Sequence, residues 1–502
     1  MNSWNRQHPI AIFISFLNNL KEMIITFIAV IIFGQAQAGG STFYIVFFSL
    51  ILIISLGNGI IRWWTFRYQL FENEIKIKHG LIFRKNRYIR KEKIQSIDIN
   101  AKLLQRIFGL VEVRIETAGG GDEPEFKITA LKKHEAAMIK EQLLRVVESP
   151  KELNDDEMTG PLDEKEEAEE VHEEQTQEQV QEKEHEEIRQ YKWMLSNPRL
   201  VIAAMTSSGV GIAATFVAAI MSQVQQFIPN RLYEQVIGFV IHHSILFIGS
   251  WVVFILFIAW VITVIRTLLK YGMFSVTKRG SEIHISRGVV EKRQLTLSDH
   301  KITAVRIVQN LLRQPFGFVA VYVESAGGGS KEEDLSTILI PMCKRNEVEG
   351  LLQELLPDYD VSSVYETLPG KSLRRYMIRL IVPSLIAASV FTYFIPYGWL
   401  AFILPLLAAL LGYWQYKDAG LHVNDQFLFL RSRSFVKTEF ILPRKRIQSM
   451  DMSQHYLQKI DHLFSLHVSV LSSITGKTFL LRHISGEQSN RTLNWYSYER
   501  NK

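Results

Sequence analysis

Two glycine runs are the first places to look for chemistry. Gly119-Gly120-Gly121 follows VEVRIETA, and Gly327-Gly328-Gly329 follows VYVESA. A glycine-rich loop can hold phosphate on its backbone amides, but it must then open a helix and carry Lys-Ser or Lys-Thr. Neither run does so, and each ends a strand-like stretch. They read as flexible hairpin turns. The corresponding place near the C-terminus is Ser472-Ser473-Ile474-Thr475-Gly476, a turn of different composition.

Other catalytic signals are weak. The pair His242-His243 lies near the outer end of an apolar run. It could sense external pH, since histidine titrates near neutrality, or be a plain interfacial pair. His455, His462 and His467 show no ligand spacing and read as surface residues. No nucleophile elbow, metalloprotease helix or kinase signature occurs. Cys343 is the only cysteine, which excludes a disulfide within the chain and a cysteine metal cluster. The expectation is no enzyme, no cofactor and no metal.

Three basic runs carry more information. Arg84, Lys85, Arg87, Arg90, Lys91 and Lys93 precede KIQSIDI. Lys292, Arg293 and Lys301 take the same place before KITAVRI. Arg431, Arg433, Lys437, Arg444, Lys445 and Arg446 take it before IQSMDMS. Each run lies close to an apolar segment, where each cation near an anionic leaflet contributes about 1 kcal/mol. These residues are the candidates for lipid-headgroup or partner binding. A solvated basic surface, enriched only by the bias of membrane proteins toward internal cations, stands beside that reading.

The elements that position these runs repeat. LLQRIFGLVEVRIETAGGG, Leu103 to Gly121, returns as LLRQPFGFVAVYVESAGGG, Leu311 to Gly329. Gly80 matches Gly288, Gly109 matches Gly317 and Ile94 matches Ile302. These glycines are expected at structural turns. A worn third copy runs from Arg446-Ile447-Gln448-Ser449 to Tyr456–Ile460. It reads as carrying an insertion of about three residues before Phe464 and as lacking the terminal glycines. Repeats of this kind mark one structural unit used several times.

Each copy follows a pair of apolar segments. The spans are expected from near Phe16 to Phe33, Thr42–Ile61, Leu200–Val224, within Val236–Ile265, Ile378–Ile395 and Leu400–Tyr413, several of which approach the roughly 20 residues a bilayer requires. The domain reading is hairpin 1 at 1–65, module 1 at 66–147, an acidic linker at 148–190 and hairpin 2 at 191–272. Module 2 at 273–357, hairpin 3 at 358–417, a divergent module 3 at 418–485 and a polar tail at 486–502 complete it. Each module shows short β signals, and the first closes on a helical pattern at Lys132–Val147. The expected fold is therefore membrane α-helical plus β: six transmembrane helices in three hairpins, each followed by a small antiparallel β-barrel or sandwich with a helical cap.

Charge supports that layout. The chain has 502 residues, 47% of them hydrophobic, and a net charge of +6. Glu148–Glu187 holds 18 of the 51 acidic residues, so the rest is markedly basic. That linker has too little apolar surface to order itself. A basic membrane protein points to the anionic inner leaflet more than to nucleic acid. The short loops between paired spans contain one basic residue, Arg231, while the opposite flanks are rich in Arg and Lys. Both termini and all three modules are therefore expected in the cytoplasm.

Gly80-Leu81, Ile94-Gln95-Ser96, Leu104-Gln105-Arg106, Phe108-Gly109-Leu110 and Thr117-Ala118-Gly119-Gly120 carry a family resemblance. The sequence resembles the second group of bacterial pleckstrin-homology-like (PH-like) domains, and its three-copy layout is similar to the YdbT-like membrane proteins of bacilli. The second copy departs from the pattern at Thr303-Ala304 and Gln314-Pro315. The resemblance implies a bent antiparallel barrel with a C-terminal helix, and no enzyme. It implies a smaller, one-module PH-like membrane protein as partner, and a link to protection against membrane-active antimicrobial peptides. The resulting expectation is a scaffold for homo- or hetero-association at the inner leaflet, with lipid handling or transport through the six helices as the alternative.

Overall fold

The computed structural model describes residues 4–20, 41–71, 74–81, 84–117, 126–144, 190–207, 245–325, 336–361, 364–394, 398–472 and 476–497. Strands form where apolar and polar residues alternate. In Glu74–His79 the isoleucines Ile75 and Ile77 are buried while Lys76 and Lys78 turn outward.

Each module is made of two antiparallel sheets. Module 1 has β1 (Arg67–Leu70), β2 (Glu74–His79) and β3 (Lys85–Arg90), then β4 (Ile94–Ala101), β5 (Leu110–Thr117) and β6 (Phe126–Lys132). Module 2 has β7 (Gln190–Met194), β8 (Ser275–Arg279), β9 (Glu282–Arg287) and β10 (Lys292–Ser298), then β11 (Ile302–Gln309), β12 (Phe318–Ser325) and β13 (Thr337–Lys344). Module 3 has β14 (Glu366–Thr367), β15 (Gly420–Val423), β16 (Phe427–Arg433) and β17 (Lys437–Pro443), then β18 (Ile447–Ser453), β19 (Leu463–Val470) and β20 (Lys477–Ser485). A single 3-10 turn separates the two sheets each time, at Lys91–Lys93, Asp299–Lys301 and Arg444–Arg446.

The sheets cross module boundaries. One seven-stranded sheet runs β6-β5-β4-β10-β9-β8-β7, and a second runs β13-β12-β11-β17-β16-β15-β14. Three strands remain at each end, β1-β2-β3 and β18-β19-β20. Thus the second sheet of one module is continuous with the first sheet of the next.

Apolar helices interrupt the modules. β7 lies before the apolar helix Ile245–Tyr271 yet pairs with β8 after it, Trp193 opposite Val276. β14 and β15 do the same around hairpin 3, Glu366 opposite Leu421. In module 1 a bridge between Asn5 and Tyr68 takes this place. The boundary drawn at 190 falls inside β7, because a short strand beside an acidic linker carries little periodicity.

Six spans were expected. Among the described residues three helices are long and apolar enough to cross a membrane: Gly249–Tyr271, Lys371–Phe394 and Gly398–Asp418. Ile10–Leu20 and Ser49–Thr65 are shorter apolar helices. Most of the expected first and third spans falls at 21–40 and 208–244, outside the described residues, as does the acidic linker.

A closing helix caps each module, at Lys133–Leu144, Val348–Leu355 and Gly486–Tyr496. The third lies where a polar tail was expected. Ser485 and Gln488 form its capping box, and its buried face is Gln488, Ser489 and Thr492. A polar buried face leaves no hydrophobic period to read.

The worn third copy also has no insertion. Leu103–Ile107 ends at Gly109 with φ +68°, and Tyr456–Ile460 ends at His462 with φ +54°. His462 therefore stands where the other copies have Gly109 and Gly317. Asp461, and not Phe464, replaces Phe108.

Candidate functional site

The groups with the most distinctive surroundings lie where modules join. At the first junction β4 pairs with β10, with Asp98 opposite Leu295 and Asn100 opposite Arg293. Alternation along the strand sends neighbours to opposite faces. Ile97 belongs to the core of module 1, while Leu295 and Leu297, facing the same side as Asp98 and Ser96, belong to the core of module 2. One sheet thus serves one core with each face.

That arrangement buries polar atoms, which then need partners. Asp98 is 1% exposed, and Arg293 Nε donates to both of its oxygens at 3.1 and 3.0 Å. Arg106 donates to the Val289 carbonyl and, at 2.8 Å, to that of Val290 in the β9–β10 turn. Lys301 reaches the Ile94 carbonyl, and burial pulls its pKa down. Lys140, on the closing helix of module 1, meets His284 Nδ1 of β9 at 3.2 Å. Burial, with Lys140 and Arg279 nearby, lowers the His284 pKa to about 4.

The second junction repeats the pairing. β11 meets β17 with Arg306 opposite Phe440 and Val305 opposite Ile441. Val305 and Ile441 enter the core of module 2, while Phe440 and Ala304 enter that of module 3. Glu324 is fully buried here. It accepts from Ser336 Oγ at 2.7 Å and pairs with Lys477 of module 3 at 3.2 Å. Thr303 Oγ1 donates to the Leu471 carbonyl at 2.7 Å. Arg345 donates to Glu439 at 2.7 Å, Arg433 to Gln314 at 2.9 Å, and Arg446 to the His300 carbonyl.

The chain with these three repeats of antiparallel sheets and a closing helix matches a known family. The bacterial PH domain matches residues 22–147, 216–358 and 378–500. The chain belongs to the bacterial PH domain family. It is also 34% identical over 511 residues, covering 100% of this chain and 99% of the relative, to the UPF0699 transmembrane protein YdbT of Bacillus subtilis (strain 168). This is a membrane protein with repeated bacterial PH domains.

The three bacterial PH domains use the basic runs differently. In the first, Arg84, Arg87, Arg90 and Lys93 are exposed along the β3 edge and its turn, and Lys91 is half-buried; Lys85 begins β3. In the second, Arg293 and Lys301 lie in the first junction, while Lys292 is exposed. In the third, Arg431 donates to the Asp418 carbonyl at 2.7 Å and lies over the Tyr365 ring at 4.5 Å. Arg433 meets Asp418 and Gln314, and Arg444 donates to the Ser497 carbonyl at 3.1 Å. Arg446 lies in the second junction and Lys445 is exposed. The runs do not converge on one site.

Gly80 and Gly288 share φ near +100° (101° and 99°), and Gly109 and Gly317 share φ +68°. A Cβ on Gly288 would lie 1.8 Å from the Glu291 carbonyl oxygen. Gly119, Gly120, Gly121, Gly327, Gly328, Gly329 and the pair His242-His243 lie outside the described residues. His455 accepts from the Leu457 amide, and His467 Nε2 lies 3.0 Å from Ser453 Oγ.

Sequence reasoning missed the buried residue that follows Leu103-Leu104, Leu311-Leu312 and Tyr456-Leu457. Gln105 accepts from the Lys102 amide at 2.9 Å and donates to the Thr129 carbonyl at 2.7 Å. Gln458 does the equivalent with the His455 amide and Ser465. In the second module Arg313 replaces it, donating to the Pro341 and Ala203 carbonyls at 3.2 and 3.3 Å. That ties module 2 to the helix Asn197–Met205, which follows β7. The recurrence of LLQ, LLR and YLQ was the available signal. Asp98 and Glu324 gave none, since an acidic residue inside a strand ordinarily reads as solvent-facing.

Proposed function

We propose that the chain is a non-enzymatic multi-pass membrane protein that presents its three PH domains as a protein-assembly platform on the cytoplasmic face of the plasma membrane. One observation carries this reading: both junctions are continuous sheets with buried ion pairs, and the series ends in two strands whose outer edges bear no partner strand among the described residues. An open sheet edge is a ready template for another chain, and a protein must either block it or use it. Linked modules hold such contacts at high effective concentration. The excess of cations on the flanks of the apolar segments supports the cytoplasmic placement.

The resemblance supplies the setting, protection of the envelope against membrane-active peptides, with a smaller one-module PH-like membrane protein as a further partner. The test is purification of the tagged full chain in gentle detergent, with mass spectrometry of native mass, co-purified proteins and lipids. More than one chain, or a stoichiometric protein partner, is the expected result. A single chain holding only one specific lipid overturns the reading in favour of lipid handling, and the exposed cations of β3 then become the prime binding residues. Loss of peptide tolerance on deletion tests the setting.

A further inference from the structure

Each junction joins the second sheet of one module to the first sheet of the next, β4 to β10 and β11 to β17. Continuing the series by one step leaves β18 seeking a first sheet, and β3 seeking a second sheet. The register is the same at both junctions. Asp98 and Arg306 are equivalent, each the fifth residue of its strand, and they face Leu295 and Phe440, which are equivalent in turn. The corresponding residue of β18 is Asp451, and that of β3 is Arg87.

We propose that β18 of one chain pairs antiparallel with β3 of a second copy, forming a third junction with Asp451 opposite Arg87. This rests on the assembly reading above and names its partner. In this register Met452 faces Asn86, Met450 faces Tyr88, and Lys85 takes the place held by Arg293 at the first junction.

Burial shows what each edge lacks. Ser96 and Asp98 are each 1% exposed where β10 covers them, whereas Ser449 and Asp451 are exposed. Thr296 is 2% exposed where β4 covers it, whereas Tyr88 at the same place is 60% exposed. Charge is complementary: β3 is KNRYIR, and β18 is IQSMDMS with one acid and no base. Lys459 is exposed at the position of Arg106, the residue that holds the neighbouring turn at the first junction. Its counterpart in a second copy would be the turn at Gly80–Leu81.

The closing helix leaves this edge usable. Tyr496 Oη donates to the Ile447 and Gln448 carbonyls at 3.4 and 3.3 Å. Tyr359 Oη donates in the same way to the Ile302 carbonyl at 2.8 Å, on a strand that pairs fully with β17. Two different edges joined head to tail form a heterologous contact, which builds rings or open chains of copies.

The test co-expresses two tagged full-length chains, one with Asn86→Cys and one with Met452→Cys, and oxidises the membranes. Cys343 is buried and does not compete. The expected result is a disulfide-linked band carrying both tags, and its loss when Gln448→Cys replaces Met452→Cys. Asp451→Arg in one chain reduces the band, and Arg87→Asp in the other restores it; unchanged melting of each variant shows that folding is intact. Absence of the band while the native mass still exceeds one chain overturns this register and leaves the assembly reading standing. A link from Met452→Cys to a smaller protein overturns the second-copy assignment. A single-chain mass with no partner overturns both.

Discussion

Asp98 and Arg293 meet across the boundary between two modules, the carboxylate 1% exposed and the guanidinium donating from 3.0 Å. Asp98 lies on β4 of module 1 and Arg293 on β10 of module 2, so the contact spans the boundary. The bond therefore reports whether the modules are docked. Arg293→Ala leaves a buried carboxylate without its partner and should cost about 3 kcal/mol. The double substitution Asp98→Leu with Arg293→Leu should recover most of that loss, since it removes both charges from the sheet. Thermal melting of the full chain in detergent checks both; equal losses would mean that the pair is not coupled.

Acid should loosen the first junction. The folded pKa of His284, about 4, lies below its ordinary value of 6.5, with burial the main cause and Lys140 and Arg279 adding to it. Glu282 at 3.3 Å and Thr296 at 3.0 Å complete its surroundings. A depressed histidine pKa means that the unfolded chain binds the extra proton first. Its stabilising effect is whole above pH 6.5 and declines as the pH falls from 6.5 toward 4. His284→Asn should flatten the melting temperature over that window relative to the parent chain.

Glycine substitutions should fall into two classes. At Gly109 and Gly317 a Cβ meets nothing within 4 Å, so Gly→Ala carries only the left-handed backbone cost of about 1 kcal/mol. His462 already tolerates that conformation in the third copy. At Gly288 the added Cβ collides with backbone, so Gly288→Ala should lose far more and disturb the turn that Arg106 holds. A similar loss at Gly109 and Gly288 would contradict this ranking.

Gln105 closes a turn from inside the protein. Gln105→Leu removes its bonds to the Lys102 amide and the Thr129 carbonyl, leaving two backbone groups unpaired. The expected cost is about 2–3 kcal/mol, against a few tenths for the neighbouring exposed Leu103→Gln. Melting of the two variants side by side gives the comparison.

By itself, the sequence determined the unit and its count. The two strong copies, the glycines at Gly80, Gly109, Gly288 and Gly317, and the apolar segments before each module are local signals, set by backbone sterics and by alternation along a strand. The third copy was legible in part. His462 hides a turn that glycine marks elsewhere, and the helix Gly486–Tyr496 buries polar residues that no hydrophobic period reveals. Only the tertiary structure decided how the units join. A strand has two edges and two faces, and its pattern states which face is apolar but not which strand lies alongside. β4 could have paired with β3 of its own module, and it pairs with β10 of the next. That choice buries Asp98 and Glu324, gives Arg293, Lys301 and Arg446 to the junctions, and leaves Arg87 and Asp451 at the two ends. It depends on contacts between residues far apart in the chain, where local sequence carries no record of the partner.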